Sequence, residues 1–179
     1  AICVPLSQMV IRSYLVHEYN ATYAGYWEAM IRLSTAYLML VTTTLSVYYL
    51  PRLSELSNIQ EIKKEVYLGY KFIFPLALIG GILVYFLKDW IIPLLFSSAF
   101  LPMRELFLWQ MIGDSLKIGS WILAYLMLGK AMTKLFISTE IIFACSSIIL
   151  TYICTQYFGF KGVSIAHLVN YGLYWSVIG

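Results

Sequence analysis

Apolar residues fall into six long runs along the chain, separated by short polar links. The runs extend from about Ile2 to Val16, Trp27 to Leu50, Val66 to Leu87, Leu106 to Leu128, Leu135 to Tyr157, and Val163 to Gly179. Most approach the ~20 residues that a helix needs to cross the hydrocarbon core of a bilayer. Strands of a membrane barrel would be ~10 residues long and would alternate strictly between apolar and polar positions. No such alternation occurs, so the pattern predicts an all-α, polytopic bundle of six transmembrane helices forming one unit over residues 1–179. Both ends of the sequence lie inside apolar runs, which reads as a fragment of a longer protein.

The links add detail. Pro51 is expected to mark the exit of the second helix from the bilayer. Ser54 to Lys64 reads as an amphipathic lead-in to the third helix at the membrane surface. Pro75 is expected to kink that helix. Asp89 to Pro102, with Pro93 and Pro102, is too short to span and reads as an interfacial or dipping connection.

Composition fits this picture. Charged residues make up 12% of the chain, about half of what a soluble domain uses to cover its surface. Tyr and Trp are abundant, and both favour the membrane–water boundary. The net charge of +3 is small and its carriers are dispersed, so no nucleic-acid partner is implied. Cys3, Cys145 and Cys154 lie in apolar runs without a C-x-x-C pair, so neither zinc nor a redox motif is indicated.

Lysine and arginine in the links give an orientation. Arg52, Lys63, Lys64, Lys71, Lys130 and Lys134 fall on one side, and Lys88, Arg104 and Lys161 on the other. The first set is expected to face the cytoplasm.

Ionisable groups inside the apolar runs are the candidate functional residues, because a charge at membrane depth needs a partner or a wet cavity. Arg12 and Arg32 lie within about two turns of the outer boundary, where long side chains can also snorkel. The polar run Thr42, Thr43, Thr44 and Ser46 suits a cavity wall. Asp114 and Lys117 share a face of the fourth helix at i, i+3, continued by Trp121 and Tyr125. They read either as a mutually neutralised packing pair or as a charged patch on a water-filled cavity. Glu140 heads a stripe with Ser147 and Thr151, and is placed to titrate or to pair with Lys117. His167 and Asn170 share a face of the sixth helix, where a lone histidine reads as a packed, hydrogen-bonded residue. There is no H-E-x-x-H, Walker loop, G-x-S-x-G or metal-ligand spacing, so the chain reads as a carrier with no cofactor, and not as an enzyme.

Three stretches carry a resemblance. Tyr49-Leu50-Pro51-Arg52-Leu53-Ser54 resembles the proline-containing helix end of the multidrug/oligosaccharidyl-lipid/polysaccharide exporter superfamily. Trp90-Ile91-Ile92-Pro93-Leu94-Leu95-Phe96 with Ala99-Phe100 resembles an outer connection of that group. Gly113-Asp114-Ser115-Leu116-Lys117, with Trp121 and Tyr125, is similar to the Wzx-type flippases of surface-polysaccharide synthesis. The resemblance implies helices seven to twelve of a twelve-helix exporter of two lobes around a central cavity. It further implies a multi-pass protein of the bacterial inner membrane that works by alternating access. The implied substrate is an undecaprenyl-diphosphate-linked oligosaccharide, such as an O-antigen or enterobacterial common antigen intermediate, moved to the periplasmic leaflet. Membrane lipids, a polysaccharide polymerase and chain-length proteins are the implied partners. The implied cavity residues are Arg32, Asp114, Lys117 and Glu140: the two cations attract the diphosphate, and a carboxylate exchanges protons or releases Lys117. Pro75 and Gly80-Gly81 read as a bending point. The alternatives are a membrane-embedded polysaccharide polymerase, a multidrug exporter of the same superfamily, and a purely structural subunit.

Overall fold

A computed structural model describes residues 3–179 as six helical rods. Ile2, at the start of the first predicted segment, lies outside the described residues. Among those residues there is no strand. We number the rods α1 (Cys3–Glu18), α2 (Ala21–Glu55), α3 (Ile59–Leu95), α4 (Arg104–Gly129), α5 (Thr133–Phe158) and α6 (Gly162–Ile178). The chain is a helical membrane bundle. Rods α2, α3 and α4, and the stretch formed by α5 and α6, are long and apolar enough to cross a bilayer.

Local chemistry fixes the rod ends. Asn20 caps α2, its Oδ1 accepting from Thr22 N at 2.8 Å and Tyr23 N at 3.1 Å. Asn58 caps α3 in the same way through Gln60 N. Each cap satisfies amide donors that the first helical turn leaves free. The turn after α4 closes on Ala131, whose φ of 54° lies in the left-handed region.

The prolines behave differently from expectation. Helix α2 does not end at Pro51 but runs on to Glu55. A π turn, Leu45–Tyr49, directly precedes Leu50-Pro51. Helix α3 begins at Ile59, well before Val66, and passes Pro75 after a second π turn, Gly69–Ile73. A proline ring crowds the carbonyl four residues earlier and offers that carbonyl no N–H. Those carbonyls belong to Val47 and Lys71, each in the middle of a π turn. Widening the coil there relieves the clash without ending the helix. The proposed lead-in is accordingly split: Ser54 and Glu55 close α2, and Ile59–Leu68 opens α3. The segment from Asp89 is also not a separate connection. It continues α3 to Leu95, and only a short 3-10 turn, Ser98–Met103, leads to α4.

Helix α4 is the central post. It packs on α2, α3 and α6, while α5 packs on α6 and α1, and α1 returns to α2. Small residues set these approaches. A Cβ at Gly162 would collide with the Cys154 carbonyl, and one at Gly129 would lie 2.9 Å from Leu53 Cβ. In lipid, close backbone packing replaces the hydrophobic driving force between helices. Apolar side chains of α3 such as Ile79, Ile82, Phe86, Trp90 and Leu94 point outward, where acyl chains can cover them.

The two ends of the bundle are tied differently. At one end, Phe160 stacks edge-on against Tyr19, Tyr23 and Tyr26, and Tyr26 meets Phe100. This knot joins three links, and Arg104 pairs with Asp89 at 2.9 Å beside it. At the other end Lys130 Nζ donates to the carbonyls of Leu53, at 2.6 Å, and Leu56. The links around 56–58 and 130–132 therefore share one end. Cysteines placed singly at Ser57 and Met132 in a cysteine-free background are expected to react with an impermeant maleimide from the same side. Those at Ala21 and Lys161 are expected to react from the other. Opposite sidedness of Ser57 and Met132 would overturn the arrangement.

Candidate functional site

Asp114 is fully buried halfway along α4. A bare carboxylate at that depth is too costly to keep, so donors must converge on it. Three do. Tyr37 OH, from α2, donates to Oδ2 at 3.0 Å. Gln110 Nε2, one turn earlier on α4, donates to Oδ1 at 3.3 Å. His167 Nε2, from α6, lies 2.9 Å from Oδ1. Ser164 Oγ of α6 donates to Gln110 Oε1 at 3.2 Å, which extends the network. One carboxylate thus ties three helices together.

The surrounding sequence makes room for these donors. Gly113 lets α6 come close: a Cβ there would lie 2.5 Å from His167 Cδ2 and 3.1 Å from the Leu168 backbone. Gly80 and Gly81 of α3 form the seat of the Tyr37 ring, with a Gly80 Cβ position 3.2 Å from its Cδ2. Helix α3 is regular at these two glycines, and its irregular turn lies upstream at Gly69–Ile73.

Lys117 follows on the same face of α4 but does not pair with Asp114. Its ammonium lies 4.8 Å from the Trp121 ring centre and 5.6 Å from that of Tyr171. Aromatic faces partly replace water around a cation. Among the described residues no lysine or arginine lies within 4 Å of Asp114, and His167 is the basic side chain that reaches it. Both Asp114 and Lys117 line a partly open cavity of about 120 Å³ between α1, α2, α4, α5 and α6. That is room for several waters. Ser147 and Thr151 of α5 and His167 and Asn170 of α6 also line it. Asn170 Oδ1 is buried there without a hydrogen-bond partner.

The other two candidates lie elsewhere. Glu140 is half-buried on α5, within electrostatic reach of Lys117 but outside the cavity lining. Arg32 is exposed on the flank of α2 and donates to Glu28 at 2.7 Å. Arg12 of α1 reaches the same glutamate at 3.5 Å. Two guanidinium groups therefore share one carboxylate, beside a groove of about 250 Å³ lined by Gln8, Arg12, Trp27, Glu28 and Ile31. The run Thr42 to Ser46 does not line this cavity. Thr42 and Thr44 bond back to carbonyls of their own helix, and Ser46 Oγ meets Tyr125 OH at 2.8 Å. Sequence reasoning missed Tyr37 and Gln110 altogether. Gln110 had a signal, since it precedes Asp114 by four residues. Tyr37 had none.

The chain is 32% identical over 177 residues to the lipid III flippases of Escherichia coli K12 and of Shigella flexneri. Over almost its whole length it is similar to lipid III flippases. The match covers 99% of this chain and 42% of each relative, so the chain spans less than half the length of the curated proteins it resembles. No family model and no solved structure matches. With the apolar helices, this similarity makes the chain a multi-pass protein of the bacterial inner membrane.

The Asp114 network gives a stability test. Asp114→Ala strands three donors and is expected to destabilise the protein by about 3 kcal/mol or more. Gly113→Ala overpacks the α4–α6 contact and is expected to cost about 1–3 kcal/mol. A double-mutant cycle on Asp114 and His167, read by thermal unfolding in detergent, is expected to give a coupling of about 1 kcal/mol or more. Additive effects would mean that the two side chains do not interact.

Proposed function

We propose that the chain forms one lobe of a carrier that moves an undecaprenyl-diphosphate-linked oligosaccharide between leaflets, and is not an enzyme. In this reading all six rods span the bilayer as half of a twelve-helix exporter. The end bearing Lys130 faces the cytoplasm, and transport runs toward the periplasm by alternating access. The similarity to lipid III flippases supports a lipid-linked oligosaccharide as cargo. In this reading the cargo is an intermediate of the enterobacterial common antigen class, and a polysaccharide polymerase and chain-length proteins are its neighbours.

The observation that carries the reading is the charge left over on the α1–α2 flank. Arg12 and Arg32 share the single carboxylate of Glu28, and both arginines are exposed on the flank of the lobe. One positive charge remains uncompensated there. A diphosphate answers it, because guanidinium forks match phosphate oxygens in pairs. Lys117 supplies a second cation inside the lobe, shielded by aromatic rings and not held by a carboxylate. Asp114 and Glu140 balance it there. The lipid tail needs no site of its own, since it stays in the bilayer.

Charge arithmetic makes the reading testable by complementation of a flippase-deficient strain, with membrane protein level measured in parallel. Arg12→Ala or Arg32→Ala leaves a neutral Arg–Glu pair, and each is expected to lower transport about tenfold. Glu28→Gln keeps both cations and is expected to retain most activity. Lys117→Ala is expected to lower transport at normal protein level, while Lys117→Arg keeps much of it. Full transport by the Arg12→Ala/Arg32→Ala/Lys117→Ala variant at normal protein level would exclude the role assigned to these cations.

A further inference from the structure

The two π turns sit at the same height and touch. The Cβ position of Gly69, first residue of the α3 turn, lies 3.3 Å from the Tyr49 ring, last residue of the α2 turn. It is equally close to Ile122 of α4. Both turns show the same wide closure, Leu50 N to Leu45 O and Phe74 N to Gly69 O, and both are followed by an X-Pro step. Each therefore lacks the regular ladder at the same place, where a helix bends most easily.

Everything between the two turns forms one piece. Leu50–Glu55, the link at 56–58 and Ile59–Leu68 make a helical hairpin tip, braced internally by Arg52, which reaches Glu55 at 3.8 Å and Glu65 at 3.9 Å. The Ile59–Leu68 arm buries no residue. On the body side the turns are anchored: Tyr49 is buried, and Tyr70 OH donates to Gly119 O at 2.7 Å while accepting from Trp175 Nε1. The tip itself is held to the body by Leu53, which is buried against Gly129, by the buried Leu56, by Val66, which packs on the core, and by Lys130. The ammonium of Lys130 sits on the carbonyls of Leu53 and Leu56 at the C-terminal end of α2. Those carbonyls lack helical donors and carry the negative end of the helix dipole, so a cation is favoured there. Such a bond is nonetheless short-ranged, and water can replace it.

From this geometry we infer that Leu50–Leu68 is a hinged gate, with the paired π turns as its axle and Lys130 as its latch. Latched, the tip covers the end of α4. Unlatched, it swings as a unit about Leu45–Tyr49 and Gly69–Ile73 and uncovers Leu126 and Gly129. The hinge stands on local geometry alone. Its use as the gate at the cytoplasmic end rests on the carrier reading given above.

Spin labels at Ser57→Cys and Met132→Cys, in the intact cysteine-free protein reconstituted in lipid, report the tip-to-body distance by pulsed electron resonance. Two distance populations are expected. Lys130→Met is expected to raise the longer one about tenfold relative to the shorter, as the charged bonds are lost, and Lys130→Arg is expected to restore the starting ratio. Pro51→Ala with Pro75→Ala, which lets both coils regularise, is expected to collapse the distribution to one narrow peak. A single peak that Lys130→Met leaves unchanged would overturn the hinge. Complementation separates the two layers: altered distances with full transport by Lys130→Met would overturn the gate while leaving the hinge intact. Loss of transport by Arg32→Ala with unchanged distances would bear on cargo binding alone.

Discussion

The constraint on which the rest depends is the burial of one carboxylate in a membrane-embedded bundle. Asp114 lies away from bulk water, so side chains of its own and neighbouring helices must supply its donors. Tyr37, Gln110 and His167 supply them from α2, α4 and α6. Meeting that demand sets the spacing of α4 and α6, which requires Gly113, and the approach of α2 to α3, which requires Gly80 and Gly81. Satisfied polar groups at depth serve as interhelical glue where the hydrophobic effect cannot. The same network leaves Lys117 without a direct carboxylate, so aromatic rings take over its solvation.

Charge is therefore handled in two ways in this lobe. Inside, the opposite signs on α4 are not paired with each other: Asp114 is met by Tyr37, Gln110 and His167, and Lys117 by aromatic rings, around a small cavity. On the α1–α2 flank, like charges from two helices converge on one glutamate in the open. The first arrangement holds helices together. The second leaves a surface that favours an anion.

Much of this was legible in the sequence. Hydrophobic run length alone gives six rods, because backbone groups in lipid must be paired within each segment. Asp114 and Lys117 stood out for the same reason that the structure surrounds them with partners. What the sequence could not give was the partner list. The spacing at i, i+3 left a mutually neutralised pair and a charged patch on a cavity as alternatives; both side chains line the cavity, and Asp114 takes as its partner His167, fifty-three residues away. Such pairings depend on helix rotation and crossing, which no local pattern encodes. The prolines misled for a related reason. When only the lost donor is counted, Pro51 looks like a helix end and Pro93 like part of a non-helical connection. A π turn before Pro51, and continuation of the last turns of α3 around Pro93, absorb that loss within the rod.

The two ends of the bundle are fastened by different chemistry. At one end a knot of tyrosine and phenylalanine rings fastens the links at residues 19–20, 100 and 160 in one mass. Aromatic rings locked edge-to-face resist shear, because sliding any one ring breaks contact with several others. At the far end the tip beyond the two π turns is fastened by leucines and one lysine. A body clamped at one end and pinned lightly at the other behaves as a cantilever. Thermal motion concentrates at its free end, and displacement grows with distance from the clamp. The lobe carries its fulcrum in its own aromatic residues, at the end opposite the lysine.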